Sequence, residues 1–166
     1  MNKRTRQYVG LLAAIVAYYF VHEGTHCLYA LLTGTFKQIN FIGLGVQVDI
    51  YVNQLSQSQL GVFCILGSVA TLIVAYALVF LSSVIVKSDS NLFKSCMYYI
   101  TISMLLIDPL YLSILCGIFG GGDMNGIALL IPEIVARILY GAILICNFFL
   151  VTKIVYPKYL LSFNKS

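Results

Sequence analysis

The sequence predicts an all-α polytopic membrane protein with four transmembrane helices and a short interfacial β-hairpin between the first two. Three observations carry that prediction. Of 166 residues, 60% are hydrophobic and only 10% charged, where a soluble domain carries about 25% charged residues. Four apolar runs, at about 8–32, 60–86, 92–119 and 127–155, each reach the roughly 20 residues of helix that a hydrocarbon core requires. Between the first and second runs the periodicity changes from helical to alternating. The whole chain, 1–166, reads as one membrane-embedded domain.

The first run follows "MNKRTR", which resembles the basic start of a secretory signal peptide. No A-x-A-like cleavage site closes the run and polar residues fall inside it, so it is expected to remain as a first helix. After it, "FKQINFIGLGVQVDIYVNQ" sets Val46, Val48, Ile50 and Val52 against Gln47, Asp49, Tyr51 and Asn53. That period of two is a strand, and the segment 36–42 can pair with it across "GLG", giving a hairpin over about 36–53. An open sheet edge cannot face lipid, so the hairpin is expected at the interface or tucked among the helices. Its edge could pair with an extended peptide.

Lysine and arginine near the helix ends set the orientation. Lys3, Arg4 and Arg6 precede helix one, Lys87 and Lys94 fall in the link between helices two and three, and Lys153, Lys158 and Lys165 follow helix four. Lys37 stands alone on the opposite side. Both termini are therefore expected in the cytoplasm of a cell-membrane protein, with the basic ends against anionic lipid heads. The net charge of +4 follows from this asymmetry and not from nucleic-acid binding. Five cysteines, Cys27, Cys64, Cys96, Cys116 and Cys146, are scattered singly, which reads as buried small hydrophobes, not as a disulfide framework or zinc cluster.

The chemistry concentrates in "VHEGTH", where two histidines and a glutamate interrupt the first apolar run. Residues four apart share a helix face, so His22 and His26 can address one ion, while Glu23 sits beside it, placed to accept a proton from water. These are the chain's 2 histidines, and ionisable groups deep in a membrane helix cost about 2.5 kcal/mol or more each. A catalytic zinc site usually has three protein ligands. With no third histidine, the third ligand is expected to be a carboxylate drawn from 6 acidic residues.

Asp89 lies in a link and Asp49 in the hairpin, and Glu133 and Arg137 stand at a spacing that pairs them. Asp108, in "LLIDPLYL", and Asp123, in "FGGGDMNGIALL", remain. Asp123 is favoured: helix four begins on the side where the histidines sit, and the glycines before it permit close approach and unusual dihedrals. Asp108, also past the midpoint of its helix, stays open as the alternative; at Asp-Pro a helix break with a hydrogen-bonded carboxylate is the plainer expectation.

"HEGTH" in a membrane helix, a hairpin after it, "LGSVATL" in the next helix and a glycine-flanked aspartate opening a later one resemble the site-2 protease family of intramembrane zinc metalloproteases. That resemblance implies His22, His26 and Asp123 as zinc ligands and Glu23 as general base. The family's aspartate motif, N-P-x-P-x-x-D-G, is only partly kept: neither of its prolines stands before Asp123, and Met124 replaces the glycine that follows. In helix two, Thr71 stands where asparagine is common after Gly67. The resemblance also implies a site open to the cytosol, whereas the charge count places it nearer the outer face.

The implied activity is hydrolysis of a peptide bond in a membrane protein or membrane-associated peptide, held extended along the hairpin edge. A single-pass regulator, a signal-peptide remnant or a peptide precursor would fit such a site. The rival readings are a metal transporter, which needs successive sites that 2 histidines do not provide, and a non-catalytic binding or immunity protein, which has no need for Glu23.

Overall fold

In the computed structural model residues 2–43 and 45–164 are described. Lys165 and Leu44, of the basic tail and the hairpin turn, lie outside the described residues. Helix α1, Lys3–Leu32, starts inside the basic segment, earlier than its apolar run, because the Asn2 side chain accepts the Thr5 N–H at 2.8 Å and caps it. Strands β1, Phe36–Ile42, and β2, Gly45–Ile50, form the expected antiparallel hairpin with Asn40 opposite Gln47 and Ile39 opposite Val48. Its alternation is realised: Val48 and Ile50 are buried while Gln47 is exposed.

Helix α2, Gln57–Ile85, opens on a capping box in which Ser56 and Gln59 satisfy each other's backbone N–H. Helix α3, Asn91–Leu110, runs through a π turn, Tyr111–Leu115, into the single turn α4, Cys116–Phe119. A short α5, Asp123–Ile127, precedes α6, Glu133–Leu150, which continues through a second π turn, Val151–Val155, into α7, Tyr156–Asn164.

Three of these stretches, Gln57–Ile85, Asn91–Ile118 and Glu133–Asn164, are long and apolar enough to cross a membrane. Helix α1 is as long, but His22, Glu23, Thr25 and His26 dilute it, and it is not among the three. The outward faces agree with a lipid environment: Phe20, Phe80, Ile118 and Ile138 are among many large apolar side chains left exposed. The long fourth helix starts at Glu133, later than the expected 127, since Pro132 in an extended conformation separates it from α5. It also ends later, at Asn164, because the π turn at Val151–Val155 carries it on.

No helix break follows Asp108. Pro109 sits within α3 and lacks the N–H that would bond the Leu105 carbonyl one turn back. Asn147 of α6 supplies that donor instead, at 2.7 Å, while its own oxygen accepts from the Tyr76 hydroxyl at 2.9 Å. In lipid such replacement is what makes an intrahelical proline tolerable.

Two apolar clusters flank a polar layer. One gathers Ala30, Val48, Phe63, Met124 and Ile127, the other Ala75, Met104, Leu105, Val155 and Tyr159. Between them in chain order lie His22 on α1, Ser68 and Thr71 on α2, Asp108 on α3 and Asn147 on α6, all buried. At the far end the basic residues collect: Lys94 reaches the Ser162 carbonyl, Arg6 lies over the Phe163 ring, and Lys158 reaches Ser82 and Ser83.

Replacing Asn147 by Leu strips the Leu105 carbonyl of its donor and should cost about 1 kcal/mol of stability. Thermal unfolding in detergent should show a smaller loss in a Pro109→Ala background, where the helix regains its own N–H. Equal losses in both backgrounds would contradict this account of the proline.

Candidate metal centre

Helical spacing turns His22 and His26 to the same side of α1, and both are buried, at 7% and 3% exposure. Their rings are fixed by neighbours. Tyr18 stacks on His22 with centroids 5.4 Å apart, and Phe63 of α2 lies 4.5 Å from His26. Asp123 arrives from the other end of the chain through a turn in which Gly120, Gly121 and Gly122 have φ of 95°, 83° and 45°. Three consecutive left-handed residues are a backbone that side chains disfavour, which is why the sequence spends glycine there. They deliver the carboxylate at the first position of α5.

The three groups meet. His22 Nε2 lies 3.1 Å from Asp123 Oδ2, His26 Nε2 lies 3.2 Å from His22 Nε2, and His26 Nε2 lies 3.5 Å from Asp123 Oδ2. His22, His26 and Asp123 thus form a group that could hold a metal ion. The spacing suits one: donors about 2.0–2.1 Å from a tetrahedral ion stand roughly 3.3 Å apart. Two imidazoles and a carboxylate are a donor set that a divalent transition metal accepts, and three protein ligands leave a further coordination position open.

Helix α2 closes the site from below. A Cβ at Gly67 would stand 2.6 Å from His26 Nε2 and 2.8 Å from His22 Nε2, so only glycine lets this helix approach so near. The next residue, Ser68, bonds the Tyr140 hydroxyl at 2.6 Å and ties α2 to α6. Glu23, half-buried on the hairpin side, accepts the Val48 N–H at 2.9 Å through Oε2.

No family model, curated protein or solved structure matches this chain.

Asp108 does not join the three. Its carboxylate, 1% exposed, faces the other nitrogen of His22, with Nδ1 3.3 Å from Oδ1. It also accepts the Tyr18 hydroxyl at 2.5 Å and the Thr71 hydroxyl. Of the remaining acids, Glu133 pairs with Arg137 at 2.7 Å as its spacing predicts, and Asp49 pairs with Lys37 across the hairpin at 2.8 Å. That hydrogen-bonded ammonium holds the Asp49 carboxyl below its ordinary value.

Sequence reasoning passed over Tyr18, Gly67 and Thr71 as parts of the site. Tyr18 had a signal, standing one helical turn before His22 on the same face. Gly67 and Thr71 stood in the helix-two pattern that the family resemblance picked out, but nothing in the sequence set that pattern against the imidazoles.

Alanine at Gly67 should push the imidazoles apart and weaken zinc binding about tenfold or more. Gly24, in the HEGTH turn itself, has open space around its missing Cβ, so Gly24→Ala should bind as the wild type does. Chelator competition on the two purified variants checks this, and indistinguishable affinities would contradict the close approach of α2.

Proposed function

We propose that this chain is an intramembrane zinc metalloprotease similar to the site-2 proteases, with zinc held by His22, His26 and Asp123 and with Glu23 as general base. The observation that carries the reading is the mutual spacing of the three ligand atoms, 3.1 to 3.5 Å, with a carboxylate one residue from the first ligand. A site that merely stored metal would have no use for a base in that place. The helix α1 spans the membrane with the three apolar stretches, making four spans of a single domain in the cell membrane. The gathering of basic residues at one end supports termini on the cytoplasmic side.

When bound, zinc supplies a Lewis acid for the scissile carbonyl and lowers the pKa of water toward about 7. Glu23 takes the proton from the attacking water and returns it to the leaving amine, the two transfers a peptide hydrolase needs. The carboxylate is oriented for this by Val48, whose N–H holds Oε2 at 2.9 Å. The same bond sets β2 directly beside Glu23. A peptide segment unwound from its helix and paired along the hairpin edge is thereby delivered to the base, with the carbonyls that point away from the sheet free. Substrates are membrane proteins or membrane-associated peptides whose spans contain helix-weakening residues, since these lower the cost of unwinding. The glycine turn at Gly120–Gly122 lies next to Asp123 and offers irregular backbone for a water path, the setting in which such backbone is tolerated at depth.

The experiment uses the full-length protein in detergent with a transmembrane peptide that carries a glycine-proline break and a fluorophore and quencher on either side of it. Zinc-loaded wild type should cleave it, and chelation should stop cleavage until zinc is restored. Glu23→Gln should retain one zinc per chain and lose about two to four orders of magnitude in rate. Wild-type rates in Glu23→Gln would overturn the mechanism.

A further inference from the structure

We propose that Asp108 is a positioning residue for the metal centre: it fixes the tautomer and orientation of His22 and is not a ligand. The inference rests on the metal reading above and goes beyond it, since none of the three ligands accounts for a carboxylate 1% exposed in the middle of a membrane helix. Among the described residues, no lysine or arginine pairs with it. Its partners are two hydroxyls and an imidazole, contributed by two other helices.

The geometry of His22 separates the two roles. Nε2 faces His26 and Asp123, at 3.2 and 3.1 Å, whereas Nδ1 faces Asp108, at 3.3 Å from Oδ1 and 3.4 Å from Oδ2. The two ring nitrogens point in divergent directions, so an ion on Nε2 lies across the ring from Asp108 and out of its reach. A neutral imidazole carries one proton. If it sits on Nε2, the lone pair needed for the metal is gone. A carboxylate at Nδ1 accepts the N–H there and leaves Nε2 free, and the same bond sets the ring plane.

Asp108 is itself held. Tyr18, one turn before His22 on α1, donates to Oδ1 at 2.5 Å, and the Thr71 hydroxyl of α2, which also reaches the Ser68 carbonyl, donates to Oδ2. The carboxylate therefore cannot turn without breaking bonds to two helices. His26 has no such support: its Nδ1 is buried without a hydrogen-bond partner among the described residues. His22 is thus held by a carboxylate as well as by the Tyr18 ring, whereas His26 is held by the Phe63 ring and by its contact with His22.

The test uses the full-length protein in detergent, loaded with zinc for affinity and with cobalt(II) for its visible spectrum. In Asp108→Asn the amide oxygen still accepts the Nδ1–H, so zinc affinity should stay within a few-fold of wild type and the cobalt bands should not move. Asp108→Leu removes the acceptor and should weaken zinc about 10–100-fold, while at saturating cobalt the bands keep their wild-type positions. Asp108→Ser, too short to reach Nδ1 but polar, gives the same comparison if the leucine variant does not fold. Asp123→Ala should alter the bands, because a ligand is lost. Bands shifted by Asp108→Asn as they are by Asp123→Ala would make Asp108 a ligand, and undiminished affinity in Asp108→Leu or Asp108→Ser would reduce it to packing. A wild type that takes up neither zinc nor cobalt would sink the metal centre itself, an outcome separate from either of these.

Discussion

Three atoms that carry lone pairs, His22 Nε2, His26 Nε2 and Asp123 Oδ2, converge to within 3.5 Å of one another inside a bundle of apolar helices. Such a cluster repels itself unless a cation or shared protons sit among the three, and the low dielectric around it magnifies the repulsion. Much of the rest of the structure is organised around that convergence. Helix α2 gives up a side chain at Gly67 so as to pass beneath it. Three left-handed glycines bring Asp123 back from the far end of α4. Aromatic rings of Tyr18 and Phe63 pack against the two imidazoles and limit their motion.

The polar layer extends this centre without opening it to lipid. It lies between two apolar clusters, so each polar group has partners within the bundle and apolar packing on either side. Asp108 binds hydroxyls from α1 and α2; Ser68 joins α2 to α6; Asn147 repairs the carbonyl that Pro109 leaves bare on α3. In a bilayer, where burial of apolar area does little to hold one helix to another, such bonds and close glycine contacts supply much of the association. The Glu23–Val48 bond carries the layer outward to the hairpin. Site, helix packing and the candidate substrate edge are thus parts of one network.

The sequence announced some of this and concealed the rest for physical reasons. His22 and His26 were legible because helical spacing alone puts them on one face, and Asp123 because a run of three glycines marks a backbone that must bend. The hairpin was legible from its alternation, and the Glu133–Arg137 pair from its spacing. The start of the last long helix differs from the expectation: apolar residues from Ile127 onward fit a continuous run, but α5 ends at Ile127 and the new helix begins only after Pro132, its N-cap. Asp108 was expected at a helix break, but the break is absorbed by a residue of another helix, which no local pattern encodes. Gly67 shows the same limit, since its need for close approach arises only once α1 and α2 are packed.

X-ray absorption at the zinc edge of the purified full-length protein tests the central claim most directly. The account predicts one zinc per chain, a first shell of nitrogen and oxygen at about 2.0–2.1 Å with the scattering pattern of two imidazoles, and the loss of one imidazole in His22→Ala. A sulfur shell at about 2.3 Å, or a spectrum that does not change in His22→Ala, would contradict it.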